Sequence, residues 1–118
     1  MTTTACIFCK IAGGEVPARK VFEDDEIVVF HDIHPQAQLH LLMIPKRHIE
    51  NLYDADDSHV AVLGRMMALA GQVAREQGFP DGFRIVVNNG RVGRQEVYHL
   101  HLHLLSATEP LGSGMIRH

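Results

Sequence analysis

The sequence predicts an α+β fold: a five-stranded, mostly antiparallel sheet with one long helix and a short N-terminal helix. Three observations carry that prediction. Short apolar runs are separated by Asp, Pro, Asn and Gly turn signals rather than by helical segments. Only one long stretch, ending at Arg75, has apolar residues at helical 3-4-3-4 spacing. Finally, His99-Leu100-His101-Leu102-His103-Leu104-Leu105 alternates with a period of two, and a strand turns that period into two distinct faces.

The elements follow in order. Ala5 to Ala12 predicts a short helix ended by Gly13-Gly14. Arg19-Lys20-Val21-Phe22-Glu23 predicts a strand that turns at Asp24-Asp25, and Glu26 to His31 predicts the next. His34-Pro35-Gln36 is a loop, because proline biases its predecessor away from the helical region. Leu39 to Ile44 predicts a third strand, stopped by Pro45. Asp57 or Ser58 suits the N-cap of the long helix. Val60, Leu63, Met67, Ala70 and Ala74 predict its inward stripe, with Gly78 as the stop. The pair Met66-Met67 reads as core or dimer packing. Phe83 to Asn88 predicts a fourth strand, and Asn89-Gly90 a turn. Gly93 is expected to keep the following loop flexible, and the histidine strand runs from about Val97 to Leu105.

Composition narrows the function classes. The chain has 118 residues, which suits one domain over residues 1–118. Lys and Arg number 11 against 14 Asp and Glu, so no basic excess points to nucleic acid as a partner. No apolar run is long enough to span a bilayer. Met1-Thr2-Thr3-Thr4-Ala5 lacks a signal-peptide layout, so a cytoplasmic location and no membrane partner are expected. The two cysteines, Cys6 and Cys9, form a C-x-x-C pair. In a reducing compartment that spacing points to metal binding or redox chemistry before a structural disulfide.

Along a strand, His99, His101 and His103 would share one face, with neighbours about 6.5–7 Å apart. Three uses fit. A neutral imidazole can attack phosphorus and form a phospho-histidine that water later displaces. An H-x-H strand can supply ligands to a hydrolytic zinc. The histidines can also be surface residues without a role, which three-fold alternation between leucines argues against. No H-E-x-x-H is present. Other residues suit a nucleotide. Asp32, at a strand end, can accept two hydrogen bonds from a ribose diol. Asn88 borders the loop Asn89-Gly90-Arg91-Val92-Gly93-Arg94, whose backbone N–H groups can hold phosphate.

His99 to Leu105 resembles the signature of the histidine triad (HIT) family, His-φ-His-φ-His-φ-φ with φ apolar. The resemblance extends through Cys6-Ile7-Phe8-Cys9-Lys10-Ile11, Phe22-Glu23-Asp24-Asp25, Phe30-His31-Asp32-Ile33 and Pro35-Gln36-Ala37. It continues through His40, Ile44-Pro45-Lys46-Arg47-His48-Ile49, Val86-Val87-Asn88 and Gln95-Glu96-Val97-Tyr98. These segments resemble the nucleotide-binding, nucleoside phosphoramidase branch. The resemblance implies a HIT-like fold and a hydrolase that releases a purine nucleoside monophosphate through a covalent nucleotidyl-histidine. It also implies a homodimer whose two sheets join. Alternatives within the resemblance are a dinucleoside polyphosphate hydrolase and a nucleotide-binding scaffold with weak catalysis.

By position, the resemblance makes His101 the nucleophile and gives His103 the phosphate oxygens. His99 and His40 support the nucleophile's orientation or the pocket. Asp32 takes the ribose hydroxyls, while Phe30, His31 and Ile33 line the base pocket. Asn88 and the segment Gln95, Glu96 and Val97 hold the phosphate. Cys6, Cys9, His48 and His99 complete a Cys2His2 set that, in some members, holds a structural zinc. Such a closed site leaves no position for water, so catalysis requires no metal. Two positions depart from the family pattern. Gly93-Arg94-Gln95 stands where Gly-Gly-Gln is common, and Glu96 where some members have a serine. Arg94 either contacts phosphate or faces solvent. An ionised Glu96 cannot donate as a hydroxyl does.

Overall fold

A computed structural model of the chain describes residues 6–113. Helix α1 (Ile7–Ala12) precedes strands β1 (Lys20–Glu23), β2 (Ile27–His31) and β3 (Leu39–Pro45). Helix α2 (Val60–Glu76), β4 (Arg84–Val87) and β5 (Leu102–Ser106) follow. The strands form one five-stranded sheet in the order β1-β2-β3-β5-β4, with every neighbouring pair antiparallel. This is the α+β architecture that the sequence predicts. Among the described residues, no helix is long and apolar enough to cross a membrane.

The two faces of the sheet do different work. Val29, Leu41, Met43, Leu102 and Leu104 point to one face and pack under Met66, Ala70, Val73 and Ala74 of α2. Val28, Phe30, Leu42 and Ile44 point to the other and meet Phe8 and Ile11 of α1. With both faces covered, β2 and β3 are buried almost without alternation. Burying each large aliphatic side chain contributes roughly 1.5–3 kcal/mol, as an upper bound. The strand register sets the site. Phe30 pairs with Leu42, Leu42 with His103, and His103 with Val86, so these four form one row across the α1 face.

Local chemistry explains the element ends. Cys6 caps α1, its sulfur accepting from the Cys9 N–H at 3.3 Å. Asp24 closes the β1–β2 turn by accepting from the Glu26 and Ile27 N–H groups at 2.8 and 2.9 Å. Arg65 of α2 reaches over to pair with Asp24 and Glu26. At the end of α2, Gly78 takes φ +92°, and the Phe79 N–H donates to the Ala74 carbonyl at 3.0 Å.

Four local expectations need correction. The histidine strand is shorter than predicted: β5 begins at Leu102, and His99 and His101 precede it. The β3–β5 ladder ends at Met43–Leu102, and Pro45 has no N–H with which to extend it. The Leu100 N–H instead donates to the Ile49 carbonyl at 2.7 Å. Asp56, not Asp57 or Ser58, is the cap before α2. It forms a capping box with His59 around a 3-10 turn that runs into the helix. The inward stripe of α2 is rotated from the predicted one. Met66 and Val73 are buried while Val60 is 64% and Met67 56% exposed. A 3-4-3 stripe through 63, 66, 70 and 73 faces the sheet better than one through 60 and 67. The turn expected at Asn89-Gly90 is present, starting at Gly90, and belongs to one long loop, residues 88–101, between β4 and β5. Gly93 serves close approach rather than flexibility, since a Cβ there would lie 2.5 Å from the Asn89 carbonyl oxygen. Residues 1–5 and 114–118, which include most of the N-terminal leader reading and the end of the tail, lie outside the described residues.

Candidate functional site

The α1 face of the sheet opens into a cavity of about 960 Å³, large enough for a nucleotide-sized ligand. Its lining includes the apolar Phe8, Ile11, Val16, Phe30, Leu42 and Val97 and the polar His101, His103, Asn88, Arg94 and Glu96. Asp32, His40, His31 and Ile33 are also on the lining. Phe8 stands edge-on to Phe30 at 5.7 Å, to His101 at 5.1 Å and to His99 at 5.9 Å. The N-terminal helix therefore supplies the wall against which two of the three histidines rest.

Hydrogen bonds assign the imidazole tautomers. A carbonyl oxygen can only accept, so His101 Nδ1 donates to the His99 carbonyl at 2.8 Å. That leaves the His101 Nε2 with a free lone pair. The Gln36 N–H donates to His40 Nδ1 at 3.1 Å, which puts the His40 proton on Nε2. His40 Nε2 then donates to His103 Nδ1 at 2.9 Å, with the Asp32 carboxylate 3.4 Å away. His103 is left with its proton on Nε2, as a donor. One imidazole is thus held as a lone pair and its neighbour, 5.0 Å away between ring centroids, as an N–H donor. A lone pair beside a donor is what attack on a phosphoryl group needs.

Burial keeps these rings neutral. Desolvation pushes His103 down to about 4, helped by the nearby His101 and His40. It also lowers His101 and His40, while Asp32 opposes the shift in both. The consequence for pH has a definite sign. A histidine whose folded pKa lies below its unfolded value contributes stability that is full above the unfolded value, near 6.5, and is lost as pH falls. Thermal melts should therefore show Tm constant between about pH 7 and 8 and declining from about pH 6.5 towards pH 4. A Tm rising over that interval would contradict neutral, buried rings.

The other expected site residues divide clearly. Asp32 sits on the cavity lining, with Oδ1 accepting the His34 N–H at 2.8 Å and Oδ2 towards His40. Val97, Glu96 and Asn88 also line the cavity. Gln95 does not. It is buried, and its amide donates to the Glu50 and Val97 carbonyls and accepts from Asn51 and the Gly90 N–H. All its hydrogen-bonding capacity shapes the loop from behind. Sequence reasoning missed Phe8, Ile11, Val16 and Leu42. The apolar residues of α1 carried a signal, but nothing local showed that α1 folds over the cavity. Arg94 is the only described non-glycine residue with positive φ, at 62°. That conformation costs a side-chain-bearing residue about 1–2 kcal/mol.

Behind the histidines lies a second cluster. The ligand atoms of Cys6, Cys9, His48 and His99 fall within 4.8 Å of one another. His99 Nδ1 is 3.4 Å from Cys6 Sγ and 3.5 Å from Cys9 Sγ, and His48 Nδ1 is 3.2 Å from Cys9 Sγ. Tetrahedral zinc, with Zn–S and Zn–N bonds of about 2.3 and 2.0 Å, sets S···N edges of roughly 3.5 Å. His99 Nε2 donates to the Pro45 carbonyl at 2.7 Å, which turns the Nδ1 lone pair towards the sulfurs. His48 Nε2 is buried without a partner, so that ring is held by its Nδ1 side alone. Burial and the hydrogen-bonded Cys6 push the Cys9 thiol up to about 11, and a bound cation would reverse that by stabilising the thiolate. The donor set fits zinc. His99 does not face the open cavity with the other two, as three equivalent imidazoles on one face would. It turns to the cysteines, while its carbonyl orients His101.

Comparison with known proteins agrees with this geometry. The family described as "Scavenger mRNA decapping enzyme C-term binding" matches residues 5–118. The chain is 44% identical over 105 residues to "Adenylylsulfatase HINT1" of Arabidopsis thaliana, covering 87% of this chain and 71% of that protein. It is 43% identical over 105 residues to the "14 kDa zinc-binding protein" of Brassica juncea, covering 87% and 93%. The crystal structure of a HIT family hydrolase from Legionella pneumophila superposes with a TM-score of 0.83 at 49% identity, covering 86% of this chain and 91% of that one.

Proposed function

The chain belongs to the histidine triad family of hydrolases, and from that premise we propose that it cleaves purine nucleoside 5′-phosphoramidates to the nucleoside monophosphate. The observation that carries the reading is the tautomer pair, with a lone pair on His101 Nε2 and a proton on His103 Nε2. In the first step the His101 lone pair forms a bond to the α-phosphorus. The bond to the leaving nitrogen breaks, and the amine departs after gaining one proton. His103 donates to the phosphoryl oxygens as their charge grows. Water then attacks phosphorus, one of its protons is lost, and His101 leaves with its lone pair restored.

The rest of the site supports binding in this reading. Phe30, His31 and Ile33, with Phe8 and Val16, enclose the base, and Asp32 accepts from the ribose hydroxyls. Asn88 and the backbone around Glu96 and Val97 hold the phosphate. His40 acts through His103 by fixing its tautomer. Cys6, Cys9, His48 and His99 would hold zinc, which when bound supplies a structural cross-link and no reacting group. Two free cysteines serving as ligands suit a reducing, cytoplasmic setting. Strand β4 stands at the sheet edge, where a second copy could pair and join two sheets in a homodimer.

The test is a steady-state assay with a fluorogenic adenosine phosphoramidate beside diadenosine polyphosphates. The proposal expects kcat/KM at least about tenfold higher for the phosphoramidate, a difference of roughly 1.4 kcal/mol in barrier. Preference for the dinucleotide would replace it with polyphosphate hydrolysis. Nucleotide binding without turnover of either would leave a scaffold.

A further inference from the structure

Two cations on the cavity lining, Arg19 and Arg94, have no role in the proposed reaction, and Arg94 is the one that shares a loop with Glu96. Arg94 lines the same cavity as His101 and His103. It is exposed, and its backbone is held at φ 62°. The ion pairs among the described residues engage Lys20, Lys46, Arg65, His40 and His59, and leave Arg94 without a carboxylate.

Its place in the sheet gives the unpaired charge a direction. Across the row Phe30–Leu42–His103–Val86, Phe30 and Leu42 lie on the β2 side of His103, and Asp32 directly follows β2. The loop carrying Arg94 leaves β4, on the opposite side. With strands about 4.8 Å apart, a nucleoside filling the β2 side leaves the β4 side for whatever else is bonded to phosphorus. Glu96, in the same loop, also lines the cavity, and its carboxylate repels an anion. Arg94 is the cation beside it in the loop.

We propose that Arg94 is a specificity-determining residue whose guanidinium receives an oxyanion on the leaving group. Within the phosphoramidates, the favoured substrates are then those whose amine leaving group bears a carboxylate or sulfonate. This rests on the nucleotidyl-transfer reading above and names the leaving-group class within it. Arginine suits the task because its planar fork binds two oxygens at once.

Two measurements on the full chain test it. The first compares kcat/KM for adenosine 5′-phosphoramidates of propylamine, β-alanine and taurine, which differ at the terminus as neutral, carboxylate and sulfonate. The wild type should favour the anionic conjugates about tenfold, the scale of one charge-assisted contact. Arg94→Gly should bring the ratio close to one by losing activity mainly on the anionic pair, and Arg94→Lys should keep part of the preference. Glycine accepts the left-handed backbone, so the Tm of Arg94→Gly should not fall. The relative response to carboxylate and sulfonate separates the two oxyanion sources. The second measurement titrates AMP and the non-hydrolysable α,β-methylene analogue of ADP, which needs no turnover. Arg94→Gly should weaken the analogue about tenfold relative to AMP. An unchanged ratio in both experiments overturns the assignment of Arg94. If the wild type cleaves none of the conjugates but the Arg94-dependent difference in binding persists, the phosphoramidase reading fails and Arg94 stands. If neither nucleotide binds, both fail.

Discussion

Replacing His101 with alanine or glycine is expected to lower turnover of an adenosine phosphoramidate by ten-thousand-fold or more, a loss of roughly 5.5 kcal/mol in barrier. Affinity for AMP should change by less than about tenfold. The split follows from the division of labour in the cavity. Phe30, Asp32 and Asn88 line the cavity from other elements, whereas among the imidazoles that line it His101 is the one whose Nε2 lone pair is left free by its other nitrogen. The His101 ring rests edge-on against Phe8 at 5.1 Å, so circular dichroism and Tm must show that the variant still folds. Rapid-quench trapping of a covalent nucleotidyl adduct in the wild type, absent in the variant, supplies the complementary readout. Retained turnover in a folded His101 variant would falsify the covalent mechanism.

Cys6→Ser is expected to release zinc and to loosen α1. Metal analysis of protein purified without chelator should find about one zinc per chain in the wild type and much less in the variant. A site filled a thousandfold above its Kd stabilises the fold by about 4 kcal/mol, so Tm should drop by ten degrees or more, at roughly 4–8 °C per kcal/mol for a domain near this size. Nucleotide affinity should weaken as well, because Phe8 and Ile11 line the cavity from the same short helix that carries Cys9. Wild-type protein that contains no zinc, or a variant with the same Tm, would rule out a structural metal. His101→Ala separates the two sites: it should leave zinc content unchanged, since His101 offers the cluster no ligand.

Much of the site was legible because the histidines announce their chemistry through spacing. His99, His101 and His103 were recognisable as a set of alternating imidazoles, and Cys6-x-x-Cys9 as a spacing suited to a metal or to redox chemistry. Asp32 and Asn88 were placed by their positions at strand ends. Gln95 was misread because a glutamine beside a phosphate loop looks the same in sequence whether it faces the ligand or braces the loop. Only the positions of Glu50, Asn51 and Gly90 around it decide. The α2 stripe was misread for a related reason. Val60 and Met67 fit helical spacing as well as Met66 and Val73, and the orientation of the sheet below selected between two overlapping stripes.

By itself, the sequence determined the element types, the antiparallel character and the residues capable of the chemistry, because turn residues, periodicity and side-chain pKa act over a few positions. The tertiary structure alone decided which nitrogen of each histidine is engaged and which is left free. An imidazole has two nitrogens, and its role depends on which one finds a partner. The Pro45 carbonyl turns His99 towards the cysteines, the His99 carbonyl leaves His101 Nε2 free, and Gln36 with His40 leaves His103 a proton to donate. Those partners lie on β3, on the loops flanking it and on the segment before β5, so packing alone brings them together.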